Sequence, residues 1–236
     1  MLYLIGLGLD NGEITQKGIN ALESVEKAYA EFYTNTETVD LEKLSEETET
    51  EIKKLSREQV EQEDKIIESA RKQDTAFLVS GNALTATTHY EIKHRAEKEG
   101  LEVEVVHAPS IFTSISETGL NVYKFGRTVT LPEDFAPDSI TEHIGKNDSI
   151  GLHTLVLLDI DYDAADAAEK LIDLDEGLED RRAVVLERAN NNDQNISLST
   201  LEELAEREFG SPPHCIILVG ETSHMEEDFV EEYALE

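Results

Sequence analysis

The chain has 236 residues and a mass of 26.4 kDa, and it carries 52 Asp and Glu against 20 Lys and Arg, a formal net charge of -32. Such a surface repels nucleic acid and anionic membrane, no run approaches the roughly 18 apolar residues of a membrane span, and the N-terminus lacks the basic-then-apolar pattern of a secretory signal, so a soluble cytoplasmic protein is expected. A single cysteine, Cys215, excludes an internal disulfide framework and a Cys-rich metal site within one chain; in the apolar run 215–219 it reads as a buried, inert thiol.

The acids do not form one tail. They recur at Glu46-Glu47, 61–64, 173–176, Glu202-Glu203 and 226–232, mostly at positions that a helix turns to solvent. Acidity spread over the whole surface of a folded chain reads as adaptation to molar intracellular salt, and the regular apolar runs argue against a disordered acidic protein.

Taken in order, residues 2–7 predict a strand, and 15–27 a helix that Thr15 can cap. Residues 28–34 predict a second strand. Helical periodicity follows over 41–50 and 57–73, with a short strand at 52–55 between them and Ser56 as a cap. Then come a strand at 76–79, a helix after Thr85 and a strand at 102–107. Strands alternating with helices imply a mostly parallel sheet covered by helices.

Between the strand at 76–79 and the helix after it lies the small-residue loop 80–89, containing Gly81, Asn82 and Thr85. Glycine admits torsions closed to other residues, small neighbours let a ligand approach the main chain, and ligands of open α/β sheets sit at such carboxyl ends of strands. Alone, the loop reads equally as an ordinary strand-to-helix connection.

After Pro109 the pattern changes. Residues 110–118 predict a short helix capped by Ser110, 125–131 a strand, and 132–138 a Pro- and acid-rich loop. Further on are a helix at 139–146, a strand at 153–160, a helix at 163–173, a strand at 183–187, a polar loop at 190–193, a helix at 199–209 capped by Ser199, and a strand at 215–219 before an acidic tail segment. A boundary between Ser110 and Pro132 gives two α/β domains, drawn as 1–112 and 113–236, with a cleft between them.

Gly6-Leu7-Gly8 follows the first strand as a dinucleotide fingerprint would, but the next glycine, Gly12, comes one position too late for G-x-G-x-x-G, and no P-loop run occurs anywhere. The histidines show no metal-ligand spacing: His89 and His94 are five apart, and His107, His153 and His214 belong to separate strands or strand edges. His214 follows Ser211-Pro212-Pro213, whose prolines fix the entry to the last strand and so can aim the imidazole; a polar strand end is the alternative.

Eight blocks, in order and at compatible spacing from Met1 to about Gly220, closely resemble the archaeal diphthine synthase family. They are 4–9, Ala30-Glu31-Phe32-Tyr33-Thr34, Leu55-Ser56-Arg57-Glu58, Ala86-Thr87-Thr88-His89, 107–111, 123–126, 151–155 and 209–214. That family belongs to the tetrapyrrole-methylase class of S-adenosylmethionine-dependent methyltransferases, homodimers of two α/β domains. The resemblance implies methylation of the amino group of the 3-carboxy-3-aminopropyl group on a histidine of elongation factor 2, giving the trimethylammonium product diphthine.

By the same resemblance the S-adenosylmethionine contacts fall on Leu9, Asn82, Thr85, Ser110, Ile111, Leu158, Ala189 and His214, with no metal and no assigned proton acceptor. The family usually has Asp where Asn82 stands, and often Pro at Ala83. Asparagine keeps an acceptor oxygen but loses a negative charge, so Asn82→Asp is expected to tighten the grip on the cofactor's cationic end. Tyr33, Tyr123 and Phe125 are candidate aromatic faces for the trimethylammonium, and each reads first as a structural residue. A tetrapyrrole or precorrin methyltransferase shares fold and cofactor, but its G-x-G-x-G-D start does not match Gly6-Leu7-Gly8-Leu9-Asp10. A nonenzymatic acidic binding module is the alternative of another class, and cofactor binding discriminates against it.

Overall fold

A computed structural model of the chain describes residues 1–33 and 39–235, and places them in two compact units, Met1–Thr113 and Ser114–Glu236. The end of the strand expected at 28–34, Thr34, lies outside the described residues.

In the first unit the order is β1 (Leu2–Gly6), α1 (Gln16–Glu23), β2 (Lys27–Glu31), α2 (Leu41–Thr48), β3 (Ile52–Lys54), α3 (Arg57–Glu61), α4 (Lys65–Ala70), β4 (Thr75–Val79), α5 (Tyr90–Lys98), β5 (Val103–Val106) and α6 (Ile111–Ser114), the last crossing the unit boundary. The strands form one sheet in the order β3-β2-β4-β1-β5, every neighbouring pair parallel. Successive side chains alternate between its faces. Leu2, Leu4, Phe77 and Val79 pack into one apolar layer with Ile66 and Ile67 of α4, while Ile5, Ala28, Ala76 and Leu78 pack into the other with Leu22 of α1. Burial on both faces is why these strands read as unbroken apolar runs. Thr15 caps α1 by accepting from Gly18 N, and Ser56 forms a capping box with Gln59 at α3. The single helix expected over 57–73 is instead α3 and α4, separated at Asp64, whose φ of 52° is in the left-handed region that a short polar side chain tolerates.

The second unit continues with β6 (Val129–Leu131), α7 (Ser139–Asp148), β7 (Thr154–Leu158), α8 (Ala164–Leu174), β8 (Arg182–Glu187), β9 (Asn195–Thr200), α9 (Leu201–Ala205), β10 (His214–Leu218) and α10 (His224–Val230), with short 3-10 turns between some of them. Its sheet order is β6-β7-β10-β8-β9, and only β6 and β7 are parallel. The expectation of a mostly parallel sheet therefore holds for the first unit and fails for the second. β8 and β9 form an antiparallel hairpin, and β10 returns between β7 and β8. The segment 195–200 was expected to lead into a helix capped by Ser199, but its polar-apolar alternation, Asn-Ile-Ser-Leu-Ser-Thr, is that of a strand with one face buried; Thr200 caps α9 instead. The strand expected over 125–131 is shortened because Asn147 intervenes, its Oδ1 accepting from Arg127 N at 2.9 Å and its Nδ2 donating to Arg127 O at 2.9 Å.

The acidic tail segment contains α10, opened by a capping box between Ser223 and Glu226. Glu226 is buried rather than solvated. Cys215 is buried in β10, and burial pushes its thiol up to about 12, as an inert core thiol requires. Among the described residues no helix is long and apolar enough to cross a membrane.

Candidate active site

In the first unit the carboxyl ends of the parallel strands share one edge, and five of the eight expected cofactor contacts lie there. Leu9 follows β1, Asn82 and Thr85 follow β4, and Ser110 and Ile111 follow β5. These are the three neighbouring strands β4-β1-β5. Gly8 and Gly81 bring the loops together by exchanging backbone hydrogen bonds, Gly8 N to Gly81 O at 3.1 Å and Gly81 N to Gly8 O at 2.7 Å. Both have positive φ, 82° and 67°. A methyl group built on Gly81 would lie 3.6 Å from Leu9 Cδ2 and 3.9 Å from Ser110 Cβ, so residues about a hundred positions apart in sequence meet around one stretch of backbone. The glycines of the G-L-G turn thus serve backbone-to-backbone approach within the protein.

Asn82 staples this arrangement. Its Nδ2 donates to Ala108 O at 3.1 Å and lies 3.1 Å from His107 Nδ1, while its Oδ1 accepts from Leu84 N at 3.2 Å. A carbonyl can only accept and a backbone N–H only donate, so the amide orientation is determined. Thr85 N closes the turn on Asn82 O at 3.2 Å. An aspartate here keeps the bond from Leu84 but sets an oxygen against the Ala108 carbonyl. The lost bond opposes the tightening expected from charge: Asn82→Asp should lower the stability of the folded chain by about 1 kcal/mol, the net worth of that bond. Urea unfolding of the two proteins checks it, and an unchanged or higher stability would mean that the Ala108 contact does not hold the loop.

Glu13 was not among the expected residues, yet it shapes the loop bearing Leu9: its Oε2 accepts from Leu9 N at 2.6 Å and from Asp10 N at 3.3 Å. An acid a few residues beyond the glycine turn was the signal available in the sequence.

In the second unit, Leu158 ends β7, Ala189 follows β8 and His214 starts the antiparallel β10 between them, so these three also share one end of a sheet. Arg188 N donates to Pro213 O at 2.9 Å, and the Arg188 guanidinium donates to Asp193 Oδ1 at 2.7 Å, joining the loop around Ala189 to the entry of β10. Ala189 sits between two residues of positive φ, Arg188 at 47° and Asn190 at 65°. The His214 imidazole is aimed inward: Nδ1 accepts from Ala164 N, at the start of α8, at 3.1 Å. The neutral ring therefore carries its proton on Nε2, and that buried atom has no partner among the described residues. A buried donor left over beside a small residue and an apolar strand end suits a ligand acceptor. Elsewhere in this unit, a pocket of about 460 Å³ beside Met225, Glu226 and Phe229 includes none of the expected contacts.

Of the aromatic candidates, Tyr123 is 91% exposed, the Phe125 ring tilts against His153 at 5.3 Å, and Tyr33 lies edge-on to His89 with the Arg57 guanidinium 6.0 Å above its ring.

The arrangement has known counterparts. The model of the tetrapyrrole (corrin/porphyrin) methylases matches residues 1–205. The chain belongs to that family. This methylase is 39% identical to a diphthine synthase of Methanocaldococcus jannaschii, over 97% of the chain and 96% of the relative. It is 38% identical to a diphthine synthase of Halorubrum lacusprofundi, over 97% and 94%, and 36% identical to the diphthine methyl ester synthase of Schizosaccharomyces pombe, over 100% and 95%. A crystal structure of a diphthine synthase superposes with a TM-score of 0.93 at 32% identity, covering 99% of this chain and 95% of that one. The methylase is an S-adenosylmethionine-dependent methyltransferase with two α/β units, similar along its whole length to the diphthine synthases.

Proposed function

We propose that this methylase acts in diphthamide biosynthesis, transferring methyl groups to the amino nitrogen of the 3-carboxy-3-aminopropyl group on a histidine of elongation factor 2 to give diphthine. Full-length similarity to diphthine synthases carries the reading. Leu9, Asn82, Thr85, Ser110 and Ile111 on the first unit, and Leu158, Ala189 and His214 on the second, are the residues that would hold S-adenosylmethionine. The gathering of Leu9, Gly81 and Ser110 and the unpartnered His214 Nε2 support that choice. The sulfonium supplies an already activated methyl group, so the protein's part is to exclude water and hold a neutral amine in line with it. The same reading has the chain working as a cytoplasmic homodimer, for which light scattering should give twice 26.4 kDa.

The test offers the protein two forms of elongation factor 2 from its own organism, one carrying the 3-carboxy-3-aminopropyl group and one with the histidine unmodified. Mass spectrometry should show one-methyl steps on the first form only. Labelling of both alike, or of neither while a tetrapyrrole precursor is methylated, overturns the assignment. The name of the fission-yeast relative favours a second product, a methyl ester, which a fourth methyl step would reveal.

A further inference from the structure

Five of the sequence blocks that mark the family hold none of the cofactor contacts, and three of these lie in the first unit: Ala30 to Tyr33, Leu55 to Glu58, and Ala86 to His89. The first unit brings all three together. Tyr33 lies two residues beyond β2, Arg57 three beyond β3, and His89 at the far end of the loop that leaves β4. These strands are neighbours, β3-β2-β4, and their carboxyl ends lie on the sheet edge that carries Leu9, Asn82 and Ser110 beyond β4-β1-β5. The loop after β4 therefore reaches both groups, with Asn82 and Thr85 in one and His89 in the other.

The cluster is ordered around His89, which is 1% exposed and which burial lowers to about 4, so the ring is neutral. Its Nδ1 lies 2.8 Å from Thr87 Oγ1 and its Nε2 lies 3.2 Å from the Tyr33 hydroxyl. Burial first, then the charges of Glu31 and Glu61, push the Tyr33 phenol up, so it keeps its proton. Thr87 Oγ1 also accepts the His89 backbone N–H at 3.3 Å, which ties the ring to its loop. In either tautomer of the ring the phenolic oxygen keeps at least one lone pair for an outside donor. Buried Glu31 holds Tyr33 in place by accepting its backbone N–H at 2.9 Å.

Arg57 stands over the Tyr33 ring at 6.0 Å with its side chain 71% exposed. Its Nε donates to Glu61, and its two terminal nitrogens make no bond among the described residues. A guanidinium presenting its terminal nitrogens beside a phenolic acceptor matches a group that carries a carboxylate and an amine on one carbon.

We infer that Arg57 and Tyr33 form the subsite for the amino-acid end of the substrate, Arg57 pairing with its carboxylate and Tyr33 accepting an N–H of its amine, with His89 as the positioning residue that orients the Tyr33 hydroxyl. This rests on the proposed function for the identity of the substrate and adds which residues hold it. No described bond of the cluster involves a cofactor contact, so the two groups are separable by mutation.

The experiment measures methylation kinetics on elongation factor 2 bearing the 3-carboxy-3-aminopropyl group, with calorimetric binding of S-adenosylhomocysteine alongside. Arg57→Ala should raise KM for the factor about 10- to 100-fold, the loss expected for a charge-assisted pair, and Arg57→Lys should fall between, because lysine keeps the charge without the fork. Tyr33→Phe should lower kcat about tenfold with a smaller change in KM, as loss of one orienting hydrogen bond implies. All three variants should bind S-adenosylhomocysteine as the wild type does. Wild-type KM and kcat in Arg57→Ala and Tyr33→Phe overturn the subsite while leaving the proposed function intact, and parallel loss of S-adenosylhomocysteine binding makes the cluster a structural support of the fold. Failure of the wild-type protein itself to label the factor overturns the proposed function, and the subsite with it.

Discussion

Raising KCl from 0.1 to 2 M should raise the midpoint of thermal unfolding by about 10 °C, corresponding to roughly 3 kcal/mol for a chain of this size. With 52 acids and 20 Lys or Arg, pairing every base still leaves an excess of 32 negative charges on one surface. Screening extends over about 10 Å at 0.1 M salt and about 3 Å at 1 M, so most of the self-repulsion disappears across that range. Salt also weakens the attractive pairs, among them Arg71 with Glu99 and Arg182 with Glu227 and Glu231. Those pairs are partly exposed, and such pairs contribute only about 0–1 kcal/mol each, so the repulsive term decides the sign. Calorimetric scans at the two salt concentrations measure it. An unchanged midpoint would remove the case for salt adaptation without touching the enzymatic assignment.

What could be read before the structure follows physical locality. β1 and β4 are legible because a parallel strand buried on both faces is a short apolar run, and the starts of α1 and α3 because Thr15 and Ser56 cap them within three residues of sequence. β9 escapes a reading of 199–209 as a helix capped by Ser199, because its last two residues, Ser199 and Thr200, lead straight into α9. The antiparallel course of β10 was not legible at all, since the direction of a central strand depends on partners far away in sequence. The site divides in the same way. Asn82 was visible as a polar residue in a glycine loop, but its work as a donor appears only once Ala108 O is placed beside it. Tyr33, Arg57 and His89 were visible as parts of family blocks, whereas their meeting comes from the strand order β3-β2-β4, which no local pattern encodes.

Glu226 should be the most costly acid in the chain to remove. Both its oxygens are fully used: Oε1 accepts from Asn121 N at 3.0 Å and His153 Nε2 at 3.2 Å, and Oε2 from Lys124 Nζ at 2.7 Å and Ser223 N at 2.8 Å. His153 Nδ1 accepts from Gly220 N at 2.8 Å, so its proton resides on Nε2 and points at the carboxylate. Burial by itself would raise the Glu226 carboxyl, but the donors from Lys124, Ser223, Asn121 and His153 outweigh it and hold the group well below the ordinary carboxylate range. A folded-state pKa below the unfolded one means that the stabilisation is fully present above the ordinary carboxyl range and is lost as pH falls through that range toward the folded value. Glu226→Ala strands a buried lysine interaction, a histidine N–H and two backbone N–H groups at once, and should cost about 3–5 kcal/mol at pH 7, the range for breaking a buried pair from one side. Glu226→Gln keeps one acceptor but turns an NH2 toward Lys124 or Asn121, and should recover only part of that loss. Urea unfolding of the three proteins at pH 7 and pH 4, followed by hydrogen exchange in β7 and α10, measures the effect. The difference between wild type and Glu226→Gln should shrink at the lower pH as the wild-type advantage is titrated away; a difference below 1 kcal/mol at pH 7, or one that grows in acid, would mean that α10 is held by its apolar contacts and that Glu226 is incidental to them.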